Sequence, residues 1–152
     1  MTNGTKSSDM KKPDQSTFAS ALEDHQATVA ALYPLLPVIE AAARALRGAT
    51  QSGGKILLCG NGGSAADAQH LAAELMVQYE TRRAPMPAIA LTADTSVLTA
   101  HTNDYAFSSV FARQVEALGQ PEDCLIAIST SGRSANVIEA AKTASQMGLT
   151  VI

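Results

Sequence analysis

The chain has no tryptophan, three phenylalanines, three tyrosines and two cysteines in 152 residues. So few aromatics argue against the stacking platforms that bind single-stranded nucleic acid. Lysine and arginine total 11 against 14 acidic residues, for a formal charge of −3. Lys11-Lys12 and Arg82-Arg83 are isolated pairs rather than a basic stripe, so the electrostatic footprint of direct nucleic-acid binding is missing. Cys59 and Cys124 stand at the ends of apolar runs with no CxxC spacing, which reads as reduced core thiols rather than a disulfide framework. No run approaches the ~18 apolar residues of a membrane span, and residues 1–6 lack an apolar leader segment. These absences set the expectation of a cytoplasmic protein with neither nucleic-acid nor membrane partners. With 46% hydrophobic and 16% charged residues, the chain reads as globular and long enough for one domain.

Residues 1–15 are polar, carry Gly4 and Pro13 and show no periodicity, the pattern of a flexible tail. From Ser16 to Tyr33, Phe18, Leu22, Val29 and Leu32 recur at near-helical spacing. Pro34 and Pro37 bracket Leu35-Leu36 and predict a break. A second helix is expected from Pro37 to Thr50, stopped by Ser52-Gly53-Gly54. Beyond it, strands at 55–59, 87–91, 124–128 and from Thr150 alternate with helices at 64–79, near 95–101 and 106–118, and at 134–147, with Gly148 where a helix C-cap belongs. Such alternation with near-continuous apolar strands predicts an α/β fold, a parallel sheet covered on both faces. The last strand, Thr150-Val151-Ile152, has no helix behind it. A sheet ending so leaves apolar surface bare, and the expectation is a fragment lacking a C-terminal strand or helix.

Two loops hold the chemistry. Gly60-Asn61-Gly62-Gly63-Ser64 follows the first strand, and Ser129-Thr130-Ser131-Gly132-Arg133-Ser134 follows the third. Each precedes a helix, whose first N–H groups and positive dipole end attract anions. Ligands of parallel sheets bind beyond the carboxyl ends of the strands, where both loops lie. The first loop also fits G-x-G-x-x-A, but a dinucleotide site needs an acid at the end of the second strand; Glu80 falls before that strand and Asp94 is too distant. A tight turn without ligand is the plain alternative there. In the second loop one serine is an ordinary N-cap, worth ~1 kcal/mol. Ser129, Thr130, Ser131 and Ser134 exceed what capping requires, and a phosphate's terminal oxygens can absorb the surplus.

His70 and Glu74 are four apart on the helix expected at 64–79, so they share one face. Such pairs are usually surface contacts worth ~0.2–0.5 kcal/mol. This pair, on the helix that opens at the first loop, could instead supply two ligands to Zn²⁺, with the carboxylate exchanging a substrate proton. Two ligands do not close a tetrahedral site. Asn103-Asp104-Tyr105 form a polar cluster after the second strand. Either Asp94 or Ser96 caps a short helix and Asn103-Asp104 is a turn, or these groups bind sugar hydroxyls; spacing alone leaves both open. His25 and His101 have no partner pattern and read as structural.

With these motifs together, from Cys59-Gly60-Asn61-Gly62-Gly63-Ser64 through Asp67 to Leu75, Pro87 to Leu91, Asn103-Asp104-Tyr105 and Ile128 to Ile138, the chain resembles the sugar isomerase (SIS) domains. It is most similar to the phosphoheptose isomerases, from about residue 20 onward. The resemblance implies a three-layer sandwich around the parallel sheet, with helices at 16–51 serving oligomerisation and 52–152 forming the phosphosugar-binding domain. It implies that Asn61, Gly62, Gly63, Ser64, Glu74, Asn103, Asp104, Ser129, Thr130, Ser131 and Ser134 contact sedoheptulose 7-phosphate. His70 and Glu74 would bind one Zn²⁺ per subunit, Glu74 doubling as acid/base. The implied reaction is aldose-ketose isomerisation to D-glycero-heptose 7-phosphate through an enediol(ate), in a homotetramer feeding ADP-heptose and lipopolysaccharide core synthesis. The family's second histidine and its glutamine ligand lie on a C-terminal helix beyond residue 152, so if 152 residues are the whole molecule, a phosphosugar-binding fold with little or no isomerase activity is expected. Gln78 also stands one turn after Glu74, where the family has arginine. Alternatives within the resemblance are an assembly factor that binds the replication initiator DnaA, which lacks the acid at the position of Glu74, and a phosphosugar sensor needing neither His70 nor Glu74.

Overall fold

The computed structural model describes residues 15–152, with side chains from Thr17 onward. The expected flexible tail therefore lies outside the described residues, apart from Gln15, which opens the first helix. Helix α1 (Gln15–Ala30) is followed by a 3-10 turn over Tyr33–Leu35 and by α2 (Leu36–Gln51). Pro34 falls in the first turn of the 3-10 segment, where its missing N–H costs nothing. The chain divides into two compact units between Glu40 and Ala41.

In the first unit the apolar side chains are uncovered: Phe18 is 60% exposed, Leu22 65% and Val38 67%. The stretch Thr17–Gln51 is also long and apolar enough to cross a membrane, with mean hydropathy 1.5 in its most apolar window. The absence of long unbroken apolar runs therefore does not exclude a membrane for this stretch by length and composition. Pro34 and Pro37 stand inside it, each without an amide donor.

In the second unit four strands form one parallel sheet. They are β1 (Ile56–Gly60), β2 (Ala88–Ala90), β3 (Cys124–Ile128) and β4 (Thr150–Val151), in the order β2-β1-β3-β4. Four helices connect them: α3 (Gly63–Met76), α4 (Thr95–Asp104), α5 (Val110–Leu118) and α6 (Ala135–Gln146). Side chains alternate across β1 with period two, and each set meets its own layer. Leu57 and Cys59 pack with Leu125 against Val110, Phe111 and Val115 of α5 and Val137, Ala140 and Ala144 of α6. Ile56 and Leu58 pack against Ala68 and Ala72 of α3, with Leu46 of α2 alongside. Burying a leucine such as Leu57 or Leu125 contributes roughly 1.5–3 kcal/mol, so the two faces of the sheet are the main source of stability. The expected three-layer α/β fold is the one observed.

At the amino edge of the sheet, Asp123 is 1% exposed. Its carboxylate accepts from Lys55 N and from Gln120 N, both at 2.8 Å, and pairs with Lys55 Nζ at 2.5 Å. This group ties the start of β1 to the start of β3.

Helix α3 ends at Met76, three residues short of the expected 79. Its alanine-rich sequence favours helix, and its stop is set from outside. Arg83 donates to Glu74 O at 2.6 Å and to Leu75 O at 2.8 Å, and Met86 N donates to Leu75 O at 3.1 Å. The segment returning to β2 thus satisfies carbonyls that further helical amides would have taken. Glu80 follows at φ +52°, in the left-handed region. Gln78 accordingly lies beyond α3 and not one turn up the same helix.

Candidate functional site

The strand order puts β2 on one side of β1 and β3 on the other, with α3 and α6 on opposite faces. Chains leaving β1 and β3 therefore diverge, opening a crevice at the carboxyl ends of those strands. Gly60 is in register with Ile128, so Asn61 and Ser129 leave the sheet side by side, ~5 Å apart by ordinary strand spacing.

The first loop turns on glycine. Gly62 caps α3 at φ +56°, ψ −121°, a conformation costly for any residue with a Cβ. A Cβ on Gly60 would lie 2.7 Å from the carbonyl oxygen of Ser64, so glycine there lets the helix start close above the strand. Ser64 itself is buried with Ala68 and Ala72 on the sheet-facing side of α3. No side chain caps α3.

In the second loop the hydroxyls converge. Ser129 Oγ lies 3.5 Å from Ser131 Oγ and 3.3 Å from Ser134 Oγ. Ser129 Oγ accepts from Gly132 N and Ser131 Oγ from Arg133 N, each at 3.1 Å. Gly132 has φ +62°, which bends the loop so that these groups face one another. Thr130 is exposed beside them. Ser134 occupies the N-cap position of α6 and gives its side chain to none of that helix's amides. By contrast Asp94 caps α4, accepting from Val97 N at 3.0 Å. Neither N-cap residue at the crevice, Gly62 or Ser134, gives a side chain to its helix; Asn136 Oδ1 takes Val137 N, and the earlier amides of α6 are left as donors for an anion.

Asn136, in the first turn of α6, is buried at 3% exposure and exchanges two amide hydrogen bonds with Asn61. Sequence reasoning missed it. The available signal was an asparagine four residues before Ala140, on the side of α6 that faces the core. Arg83, which ends α3, was also missed, because nothing in its neighbours says what it caps.

His70 and Glu74 share a face of α3, His70 Nε2 lying 3.9 Å from Glu74 Oε1. The histidine side chain is 73% exposed and the glutamate 32%. Beside them lies a cavity of about 550 Å³ lined by Leu46, Leu71, Leu75, Tyr79 and Ile126, with Arg83 at its wall. Its lining contains no residue of the Ser129–Ser134 loop. By helical rise His70 stands ~10 Å, and Glu74 ~16 Å, along α3 from its start. Among the described residues no three His, Cys, Asp or Glu side chains cluster as a metal site. An imidazole and a carboxylate are of the kind that suits Zn²⁺, and these two would supply half of a tetrahedral set.

Asn103 and Asp104 form the last turn of α4, not a turn after it. Asn103 Nδ2 donates to Asp104 Oδ1 at 2.8 Å and both are exposed, with no bond to either loop. His101 stacks on Tyr105 at 5.1 Å and reaches Ser109 Oγ at 2.8 Å. Ser109 Oγ lies 3.1 Å from Ala106 O and donates to it, so His101 is the donor in this pair and serves as a brace. Both cysteines are free and buried. Burial pushes the Cys59 thiol up to about 12 and that of Cys124 up to about 11, from the usual 9.0.

The chain matches the SIS domain family over residues 18–152. It is 55% identical over 131 residues to a phosphoheptose isomerase of Campylobacter concisus, covering 86% of this chain and 69% of that protein. For the phosphoheptose isomerase of Thiobacillus denitrificans the identity is 58% over 118 residues, covering 78% of this chain and 60% of the relative. Among solved structures, phosphoheptose isomerase GmhA from Neisseria gonorrhoeae superposes with a TM-score of 0.77 at 47% identity, over 90% of this chain and 69% of that one. A phosphoheptose isomerase from Francisella tularensis gives 0.86 at 40% identity, over 92% and 74%. The chain thus spans 60–69% of the length of these two curated relatives. A parallel sheet with this strand order, hydroxyl-lined at its switch point and matched over nearly all of its described length, places the chain in the SIS domain family.

Proposed function

We propose that the protein is a phosphoheptose isomerase, converting sedoheptulose 7-phosphate to D-glycero-heptose 7-phosphate. One observation carries this reading: hydroxyls converge at a helix start whose N-cap serine caps no amide, while a histidine and a carboxylate ride the helix that opens at the neighbouring loop. The similarity to phosphoheptose isomerases supports it.

In this reading Ser129, Thr130, Ser131 and Ser134 hold the phosphate, with the Asn61, Gly62, Gly63 and Ser64 turn closing on it and Asn103 and Asp104 on the sugar hydroxyls. Glu74, as carboxylate, takes a proton from C1. The C1–H pair becomes the C1=C2 bond and the carbonyl pair moves to O2, giving an enediolate. Returning the proton to C2, while the proton on O1 passes to O2 and its bonding pair forms the C1=O1 carbonyl, yields the aldose. General acid/base catalysis of this kind contributes typically ~10²–10⁴-fold. His70 and Glu74 would hold Zn²⁺, which supplies Lewis-acid stabilisation of negative charge on the sugar oxygens when bound. The remaining donors come from outside the described residues.

The cavity at His70 and Glu74 is lined by no residue of the hydroxyl loop, which suits a site completed between subunits, and the uncovered apolar side chains of α1 and α2 suit packing in a homotetramer. A cytoplasmic location and service to ADP-heptose and lipopolysaccharide core synthesis follow from the same reading.

The test is turnover of sedoheptulose 7-phosphate together with bound zinc, in wild type and Glu74→Gln. The expected outcome is a ~10²–10⁴-fold loss of turnover in the variant. Phosphosugar binding without turnover in wild type favours a sensor or assembly factor instead, and unchanged turnover in Glu74→Gln removes Glu74 as proton carrier.

A further inference from the structure

Asn61 Nδ2 donates to Asn136 Oδ1 and Asn136 Nδ2 donates to Asn61 Oδ1, both at 2.8 Å. Each amide spends one donor and one acceptor on the other, which closes a two-bond ring and leaves each a second N–H outside it. Asn136 Oδ1 also accepts from Val137 N at 3.0 Å, which fixes which side of the amide is oxygen. The two residues are 75 apart in sequence. One belongs to the loop that opens α3, the other to the first turn of α6. A buried amide is costly unless its bonds are met, whereas an apolar residue could fill the same space. Retaining an amide here selects one arrangement of the two loops over all others.

We propose that Asn136 is a positioning residue. Through Asn61 it holds the Gly62–Gly63 turn at a set distance from the Ser129, Ser131 and Ser134 hydroxyls, so that both loops close on a single phosphate. The clamp follows from the geometry alone; its purpose rests on the phosphosugar reading of the crevice. Asn136 reaches the ligand only through Asn61 and the backbone of its own helix start.

The experiment compares wild type, Asn61→Ala, Asn136→Ala, the double variant and the isosteric Asn136→Asp. Amide NMR spectra are recorded for each, and the alanine variants are titrated with inorganic phosphate and with sedoheptulose 7-phosphate. Asn136→Ala is expected to move the Gly62 and Gly63 amide resonances, although it lies on another helix, and to weaken both ligands about tenfold. The double variant is expected to bind within about twofold of Asn61→Ala, because the two act as one unit. Asn136→Asp keeps the shape and loses the donor, so it is expected to move the same Gly62 and Gly63 resonances. Additive losses in the double variant, or unmoved Gly62 and Gly63 resonances in Asn136→Asp, overturn the clamp. Ligand binding that survives Asn136→Ala overturns the positioning role alone. A wild type that binds neither ligand overturns the phosphosugar reading and with it the purpose of the clamp.

Discussion

At the amino end of the sheet a carboxylate accepts two backbone N–H groups and pairs with an ammonium. At the carboxyl end, three serine hydroxyls gather along one chain, with Ser129 Oγ within 3.5 Å of the other two, and Ser134 caps none of the amides of the helix it precedes. The same two strands, β1 and β3, run between these ends. At one end polar groups are matched by partners of opposite character, which fixes the register of distant segments. At the other, like groups meet, hydroxyl beside hydroxyl and amide against amide, and the N-cap residues Gly62 and Ser134 give no side chain to their helices. A fold that satisfies Asp123 so fully and leaves Ser134 so lightly used has placed its stability and its chemistry at opposite ends of one sheet.

This contrast can be broken at several points. The two thiols report the ends separately, since Cys124 opens β3 at the amino edge and Cys59 precedes Gly60 at the carboxyl edge. Both are raised by burial, so below pH 9 the thiols are neutral in folded and unfolded chains alike. Above the ordinary value of 9.0 the unfolded thiols lose protons that the folded ones keep, and stability falls until the folded values of about 11 and 12 are passed. Each thiol that stays protonated only in the folded chain costs about 1.4 kcal/mol per pH unit climbed, so the loss by pH 11 is expected to be several kcal/mol. Denaturant unfolding between pH 8 and 11 measures it, and a flat profile contradicts the burial of these thiols.

Asp123→Ala is expected to cost about 3 kcal/mol, because it strips a charged acceptor from two backbone N–H groups and from Lys55. Urea midpoints measure this loss, and phosphate affinity of the folded variant should be unchanged. Arg83→Ala is expected to cost about 2 kcal/mol by releasing the carbonyls of Glu74 and Leu75. Hydrogen exchange should then rise at Met86, whose amide shares Leu75 O. The smallest and sharpest comparison is between caps. Asp94→Ala should cost ~1 kcal/mol, whereas Ser134→Ala, which removes no cap bond, should cost under ~0.5 kcal/mol. In Ser134→Ala the expected effect falls on phosphate binding instead. Equal stability losses in the two variants would erase the distinction between a cap that bonds its helix and one that does not.

Much of this is legible in the chain itself. The strand at Cys124–Ile128 matches its expected limits, and β1, α5 and α6 fall within one to four residues of theirs. These elements follow from apolar spacing within a dozen residues. Asp94 is a cap, one of the two roles that spacing leaves open for that region. The end of α3 falls short of its expected limit because the groups that stop it, Arg83 and Met86, arrive from the far side of a turn. Asn103 and Asp104, expected near the ligand, are exposed and bond to each other rather than to either loop.

The alternation of strand and helix, the glycine turn after β1 and the hydroxyl-rich turn after β3 were determined by local sequence, since each depends on neighbours along the chain. Only the tertiary structure decided that Asn61 meets Asn136, that Lys55 meets Asp123 and that the cavity at His70 and Glu74 is lined without the serine loop. The first two pairings span 75 and 68 residues. All three depend on strand order and helix placement, which no local pattern of residues encodes.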